Sequence, residues 1–142
     1  MTEAPDDYKG GILLPFPHSK WFPGLDVLPD KMRASFEDKH RVPRIRLIVF
    51  YGAGDSYPFW AQFVVEAADW VDVAVYEWPS HGSRDSEVLP SHCDDLVDDA
   101  MEGLEAVFSQ HAKGGSIEGA PFALLGHSIG VLVMLGVARQ AK

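Results

Sequence analysis

Residues 120–138 read Ala-Pro-Phe-Ala-Leu-Leu-Gly-His-Ser-Ile-Gly-Val-Leu-Val-Met-Leu-Gly-Val-Ala, and this stretch decides the fold. Ala120 to Leu125 has the length and apolar character of a short buried strand. Val131 to Ala138 reads as a buried helix. Between them stands Gly126-His127-Ser128-Ile129-Gly130, a G-x-S-x-G pentapeptide in the strand-turn-helix context that a nucleophile elbow requires. The turn is sharp enough to strain its central residue, and side chains at the flanking positions would collide with the neighbouring strand and helix, so glycines stand there. Ser128 is then presented at a helix N-terminus, where backbone N–H groups and the helix dipole favour developing negative charge. A bare G-x-S-x-G also occurs in ordinary turns, and the flanking apolar runs are what separate this one from them.

Working outward, two further strands precede the elbow. Ile45 to Tyr51 is a β-branched apolar run ending in Gly52-Ala53-Gly54-Asp55. Val71 to Trp78 is a second, ending in Pro79-Ser80-His81-Gly82-Ser83-Arg84. Between them, Phe59, Trp60, Phe63, Val64 and Ala67 recur at helical spacing, so a helix is expected from Pro58 to about Ala68. Ser91 to Asp94 fits a capping box opening the next helix. Its apolar face holds Leu96, Val97, Ala100, Met101, Leu104, Val107 and Phe108, and its solvated face Asp95, Asp98, Asp99, Glu102 and Glu105. Gly114-Gly115 is the expected stop.

Strand and helix thus alternate three times. This predicts an α/β fold with a mostly parallel sheet and helices on both faces. The loops at Gly52 to Asp55, Pro79 to Arg84 and Gly126 to Gly130 all fall at strand carboxyl ends, where sites in such sheets gather. Residues 1–44 lack a period and carry Pro5, Pro15, Pro17, Pro23, Pro29 and Pro43, so they read as an irregular lead-in to a domain over residues 45–142. Phe16, Trp21 and Phe22 are its candidate tethers, and Lys31 to His40 its candidate short helix. Tyr8, His18 and His40 show no interpretable spacing.

Composition narrows the function classes. A chain of 142 residues with 46% hydrophobic and 23% charged residues suits one soluble domain. The net charge of -9 offers no basic patch to neutralise phosphates, so nucleic acid is not an expected partner. No apolar run reaches the ~20 residues needed to span a bilayer, and the acidic start is unlike a secretory signal. No membrane association and a cytoplasmic location are the expectations. Cys93 stands alone, so no intrachain disulfide forms. No pair of His or Cys has ligand spacing with a second pair to complete it, so neither a metal nor another cofactor is expected.

A serine nucleophile needs a base, an orienting carboxylate and an oxyanion hole. The N–H of Ile129, next after Ser128, is one expected donor to the hole. The N–H of Ala53 is the other, because glycines on both sides let its backbone approach a substrate. Read instead as a dinucleotide fingerprint, this loop has Tyr57 where the third glycine belongs. For the base, residues 129–142 contain no His, Asp or Glu. His127 should point away from Ser128. His81, on an adjacent strand-end loop near Asp55 and Asp85, is the candidate base, against the plainer reading of a loop histidine. His92-Cys93-Asp94 reads as the first turn of a helix.

The order Leu47-Ile48-Val49-Phe50-Tyr51-Gly52-Ala53-Gly54, Phe59-Trp60, Pro79-Ser80-His81-Gly82-Ser83-Arg84 and Pro121-Phe122-Ala123-Leu124-Leu125-Gly126-His127-Ser128-Ile129-Gly130 resembles type II thioesterases. These are α/β-hydrolases associated with polyketide and nonribosomal peptide synthesis, and medium-chain fatty acyl thioesterases are related to them. The resemblance runs from about Arg44 to Arg139 and covers the first half or so of that family's domain. It implies a partial α/β-hydrolase fold with Ser128 as nucleophile and Ala53 and Ile129 as oxyanion donors. The substrate it implies is an acyl thioester on carrier protein or coenzyme A. The chain departs from the family at Tyr51-Gly52, at Asp55 in place of a second glycine, and at Pro79-Ser80-His81-Gly82 in place of Pro-Gly-Arg-Gly. The family's Asp, His and lid follow the nucleophile and have no counterpart in residues 129–142. The expectation is therefore an N-terminal part of a domain whose serine strand has an unpaired edge, open to a partner chain. A carboxylesterase or acyltransferase on the same scaffold is the second reading, although no Gly-Gln-Gly-Ser-Gln stretch supports a malonyl-type transferase. A non-catalytic half-domain is the third.

Overall fold

The computed structural model describes residues 19–24, 27–37, 43–112 and 122–140. The expectations for Tyr8, Phe16, His18, His40 and the Gly114-Gly115 stop lie outside the described residues. The elements are α1 (Asp30–Glu37), β1 (Ile45–Phe50), α2 (Tyr57–Glu66), β2 (Val71–Tyr76), a 3-10 turn (Gly82–Arg84), α3 (Cys93–Ala112), β3 (Phe122–Gly126) and α4 (Gly130–Gln140).

The strands form one sheet in the order β2-β1-β3. β1 pairs in parallel with both neighbours, Phe50 standing opposite Tyr76 on one side and Gly126 on the other. The sheet is therefore parallel throughout, as alternation of strand and helix requires. Its order places the site. From β1 the chain crosses to β2 on one side; from β2 it crosses back past β1 to β3. Right-handed crossovers running in opposite directions put α2 and α3 on opposite faces of the sheet. They also make the carboxyl ends of β1 and β3 the topological switch point, where α/β sheets open a crevice for ligands.

The core consists of β1 and β2 with the helix faces laid on them. Val49, Phe50, Tyr51, Val75 and Tyr76 are wholly buried, as are Ala61 of α2, Ala100 and Leu104 of α3, and Val133 and Val137 of α4. Phe22 and Leu28 of the lead-in join this cluster, and α1 packs on α2, so the segment is tied to the domain.

Four expectations need correction. The face that α2 buries is Tyr57, Ala61, Val64 and Val65, while Phe59 and Phe63 lie exposed. The side chain of Asp99 turns inward from the acidic face of α3, because a buried arginine, Arg84, draws it in. α3 begins at Cys93, so Ser91 lies before its cap position. β3 has no fully buried residue and α4 is buried on one side only: Phe122, Leu132 and Leu135 are exposed, and no strand in the described residues lies beyond β3.

Candidate active site

The elbow is built as its sequence demands. Ser128 has φ +54°, a left-handed conformation that an L-residue adopts only under strain. The turn closes through Gly130 N–H to the His127 carbonyl at 2.9 Å and Val131 N–H to the Ser128 carbonyl at 3.1 Å. It is pinned to the central strand by His127 N–H donating to the Phe50 carbonyl at 3.0 Å. The flanking glycines are steric necessities. A Cβ on Gly130 would lie 2.1 Å from the Phe50 oxygen, and one on Gly126 would lie 2.7 Å from the Val131 Cα. Both distances are far inside van der Waals contact, so the helix could not seat on β1 with any larger residue at these positions.

Ser128 is exposed, and its hydroxyl makes no hydrogen bond among the described residues. Across the switch point stands the loop after β1. A Cβ on Gly52 would be 3.1 Å from the Cβ of Ser128, so this loop's backbone runs directly beside the serine. The loop is a turn closed on itself: Asp55 N–H donates to the Gly52 carbonyl at 3.2 Å, and Gly52 N–H to Asp55 Oδ2 at 3.3 Å. Gly54, at φ +84°, supplies the left-handed residue the turn needs. Ala53 is at its exposed tip. Among the described residues neither Ala53 N–H nor Ile129 N–H donates a hydrogen bond.

His127 does not lie over Ser128. Its ring packs edge-on to Trp60 at 6.0 Å, with Nδ1 3.7 Å from Asp55 Oδ2, and it is 60% exposed. His81 is held by its own loop. Its Nδ1 lies 3.1 Å from the Pro79 carbonyl and 3.2 Å from Ser80 Oγ, and its ring packs against Trp78 and Tyr51 at 5.3 and 6.0 Å. No hydrogen bond among the described residues joins His81 to Ser128. Asp85 and the pair His92-Cys93 are exposed. Among the described residues no group of His, Cys, Asp and Glu could hold a metal ion, and no helix is long and apolar enough to cross a membrane.

Behind the loops lies a buried polar network that the sequence did not signal. Glu77, directly after β2 and 1% exposed, accepts from the Tyr51 hydroxyl at 2.6 Å and from Tyr57 N–H at 3.0 Å. Its other oxygen faces the Ser83 N–H and hydroxyl at 3.5 and 3.4 Å. Arg84, 2% exposed, donates to the Glu77 carbonyl at 2.7 Å, to both oxygens of Asp99 at 2.8 and 2.9 Å, and to both oxygens of Glu87 at 2.7 and 2.9 Å. The Tyr76 hydroxyl also donates to Asp99. Burial works against the charge on Arg84, but its bonds to Asp99 and Glu87 outweigh this and hold it firmly protonated. The same bonds hold Glu87 down to about 2. Burial, then the bond to Glu77, pushes the Tyr51 hydroxyl well above its usual range. In sequence, Glu77 is only one carboxylate in an apolar run, and Arg84 only a loop cation; their burial is a tertiary fact.

Comparison with known proteins agrees with this fold. The family model described as "Alpha/beta hydrolase family" matches residues 48–141. The structure resembles RedJ-Thioesterase from the prodiginine biosynthetic pathway in Streptomyces coelicolor, with TM-score 0.53 and 26% identity, over 69% of this chain and 34% of that one. It resembles the type II thioesterase BorB from the borrelidin biosynthetic cluster, with TM-score 0.60 and 22% identity, over 87% of this chain and 42% of that one. It also resembles ClbQ from the colibactin NRPS/PKS pathway, with TM-score 0.56 and 21% identity, over 69% of this chain and 37% of that one. The chain thus spans less than half the length of each of these structures. A search of curated proteins found no match.

Proposed function

We propose that this chain, which belongs to the alpha/beta hydrolase family, carries the nucleophile and oxyanion half of a serine thioesterase acting on acyl groups held as thioesters on carrier protein or coenzyme A. The observation that carries the reading is the strained Ser128, at φ +54°, set beside the Gly52 backbone, with the Ala53 and Ile129 N–H groups uncommitted among the described residues. Ser128 Oγ attacks the thioester carbonyl while a base takes its proton. The carbonyl oxygen becomes an oxyanion that the two N–H groups bind more strongly than they bind the ground-state carbonyl. The carbon–sulfur bond then breaks, the thiolate takes a proton from the base and leaves, and water hydrolyses the acyl-serine to the free acid. The thioester is preferred to the oxygen ester because the structural relatives include named thioesterases.

The base comes either from His81, whose contact with the Pro79 carbonyl favours a proton on Nδ1 and frees Nε2 to accept, or from a segment or partner chain that adds to these residues. A fluorophosphonate probe tests the reading. Labelling should occur and should vanish in Ser128→Ala; acyl-carrier and acyl-coenzyme A thioesters should then be turned over ahead of oxygen esters. Labelling that survives in Ser128→Ala would overturn the assignment. Labelling lost in His81→Ala with the fold intact would assign the base to His81. The edge of β3, unpaired among the described residues and with Phe122 and Leu132 exposed there, favours a second reading. In it, this half-domain pairs with another chain and becomes competent only in the pair. Labelling that appears only after that chain is supplied would select it.

A further inference from the structure

We propose that Glu77 is a positioning residue: its buried carboxylate clamps both ends of the Gly52–Asp55 loop and so sets the Ala53 N–H against Ser128. The inference rests on the serine-hydrolase reading above. Its starting point is an unexplained burial. A carboxylate in an apolar interior is costly unless donors surround it, and an apolar side chain of similar volume avoids that cost altogether. The donors around Glu77 are therefore informative, and they come from the loops at the site. The Tyr51 hydroxyl, at 2.6 Å, belongs to the residue just before Gly52. The Tyr57 N–H, at 3.0 Å, opens α2 just after the loop. Both meet the same oxygen.

The loop between these anchors is already rigid within itself, through the reciprocal bonds of Gly52 and Asp55. Its placement relative to Ser128 is therefore decided where its ends are held. The carboxylate is in turn fixed from behind. The Glu77 N–H donates to the Trp21 carbonyl at 2.8 Å, and its own carbonyl accepts from Arg84 at 2.7 Å. The backbone of Gly82, at φ +49°, lies so close that a Cβ there would fall 2.5 Å from Glu77 Oε2. The Tyr51 hydroxyl accepts from Trp78 N–H at 3.1 Å, which ties the clamp back to the end of β2. An oxyanion donor works only if it is in place before the charge develops, and displacing it by about 1 Å can slow reaction about 10²-fold.

The test measures the second-order rate of fluorophosphonate labelling at Ser128, amide hydrogen exchange over residues 52–57 and thermal stability, in the purified protein. The variants are Glu77→Leu, Glu77→Gln and Tyr51→Phe. Glu77→Leu should label about 10²-fold more slowly and exchange faster across the loop. Glu77→Gln keeps an acceptor for Tyr51 and Tyr57, so it should remain within about fivefold of the parent. Should Glu77→Leu fail to fold, Tyr51→Phe carries the test, since it removes one hydroxyl from the clamp and should slow labelling and speed loop exchange at a temperature where the variant is still fully folded, although its melting temperature falls. Parent-like labelling in Tyr51→Phe and in folded Glu77→Leu overturns the clamp. So does a loss that tracks melting temperature and that Glu77→Gln does not restore. A parent protein that never labels, with loop amides protected, instead overturns the catalytic reading on which the clamp's role depends.

Discussion

At the scale of single residues, the site is defined by strain and by close approach. Ser128 is held at φ +54° by a turn that its neighbours over-determine: Gly130 rests against the Phe50 carbonyl, and His127 N–H bonds to that same carbonyl. A non-glycine residue in this region is destabilised by about 1–2 kcal/mol. Ser128→Gly should therefore raise unfolding free energy by about 1 kcal/mol relative to Ser128→Ala, which keeps the strain. Urea denaturation of the two variants checks this, and equal stabilities would show that the turn is unstrained. Both variants lose the hydroxyl, so the difference between them isolates the backbone. The G-x-S-x-G spacing was legible from the sequence because its glycines answer to local geometry. Glu77 was not legible, because nothing local distinguishes a buried carboxylate from an exposed one.

At the scale of elements, Arg84 joins the 3-10 turn, the end of β2 and α3. It does so through the Glu77 carbonyl, Asp99 and Glu87. Removing one partner of a buried ion pair leaves the others uncompensated, so Arg84→Met should lower stability by about 3–5 kcal/mol. The pair also sets an acid limit. Glu87 is held at about 2 against an ordinary 4.5 by its bonds to Arg84, and those bonds, with one from Tyr76, also hold Asp99 low. A carboxyl whose folded value is depressed contributes stability that is fully present above its unfolded value and is lost as pH falls through the folded one. Stability should accordingly drop between pH about 4.5 and about 2, and the drop should be shallower in Arg84→Met. Denaturation midpoints across that range read this directly; an unchanged slope in the variant would separate the acid limit from Arg84.

At the scale of the whole molecule, the sheet is asymmetric. Among the described residues β2 and β3 are both edge strands, but β2 is largely buried, whereas β3 buries no residue and, with the turn and helix that follow it, exposes Phe122, Ile129, Leu132 and Leu135. Exposed apolar area of this kind on a parallel edge invites pairing. The 142-residue chain alone should bind the hydrophobic dye ANS, and replacing Leu132 and Leu135 by Lys should reduce the fluorescence without lowering the melting temperature. Unchanged fluorescence in the double variant would place the dye site elsewhere. The switch-point crevice lies between β1 and β3 at their carboxyl ends, where Ile129 is exposed.

The sequence by itself determined the alternation of strand and helix, the parallel sheet and the elbow, because hydrophobic period and turn chemistry are local properties. Strand order was beyond it: which strand lies at the centre depends on crossovers that no short-range pattern records. The same limit explains the exposed faces of α2 and α4. Apolar spacing predicts that a helix has an apolar face, but only the packing shows which side of it another element covers. Tertiary structure alone brought Tyr51, Tyr57 and Ser83 to one carboxylate, and Asp99 and Glu87 to one guanidinium. Residues far apart in the chain meet there because burying a charge requires partners from wherever the fold can supply them.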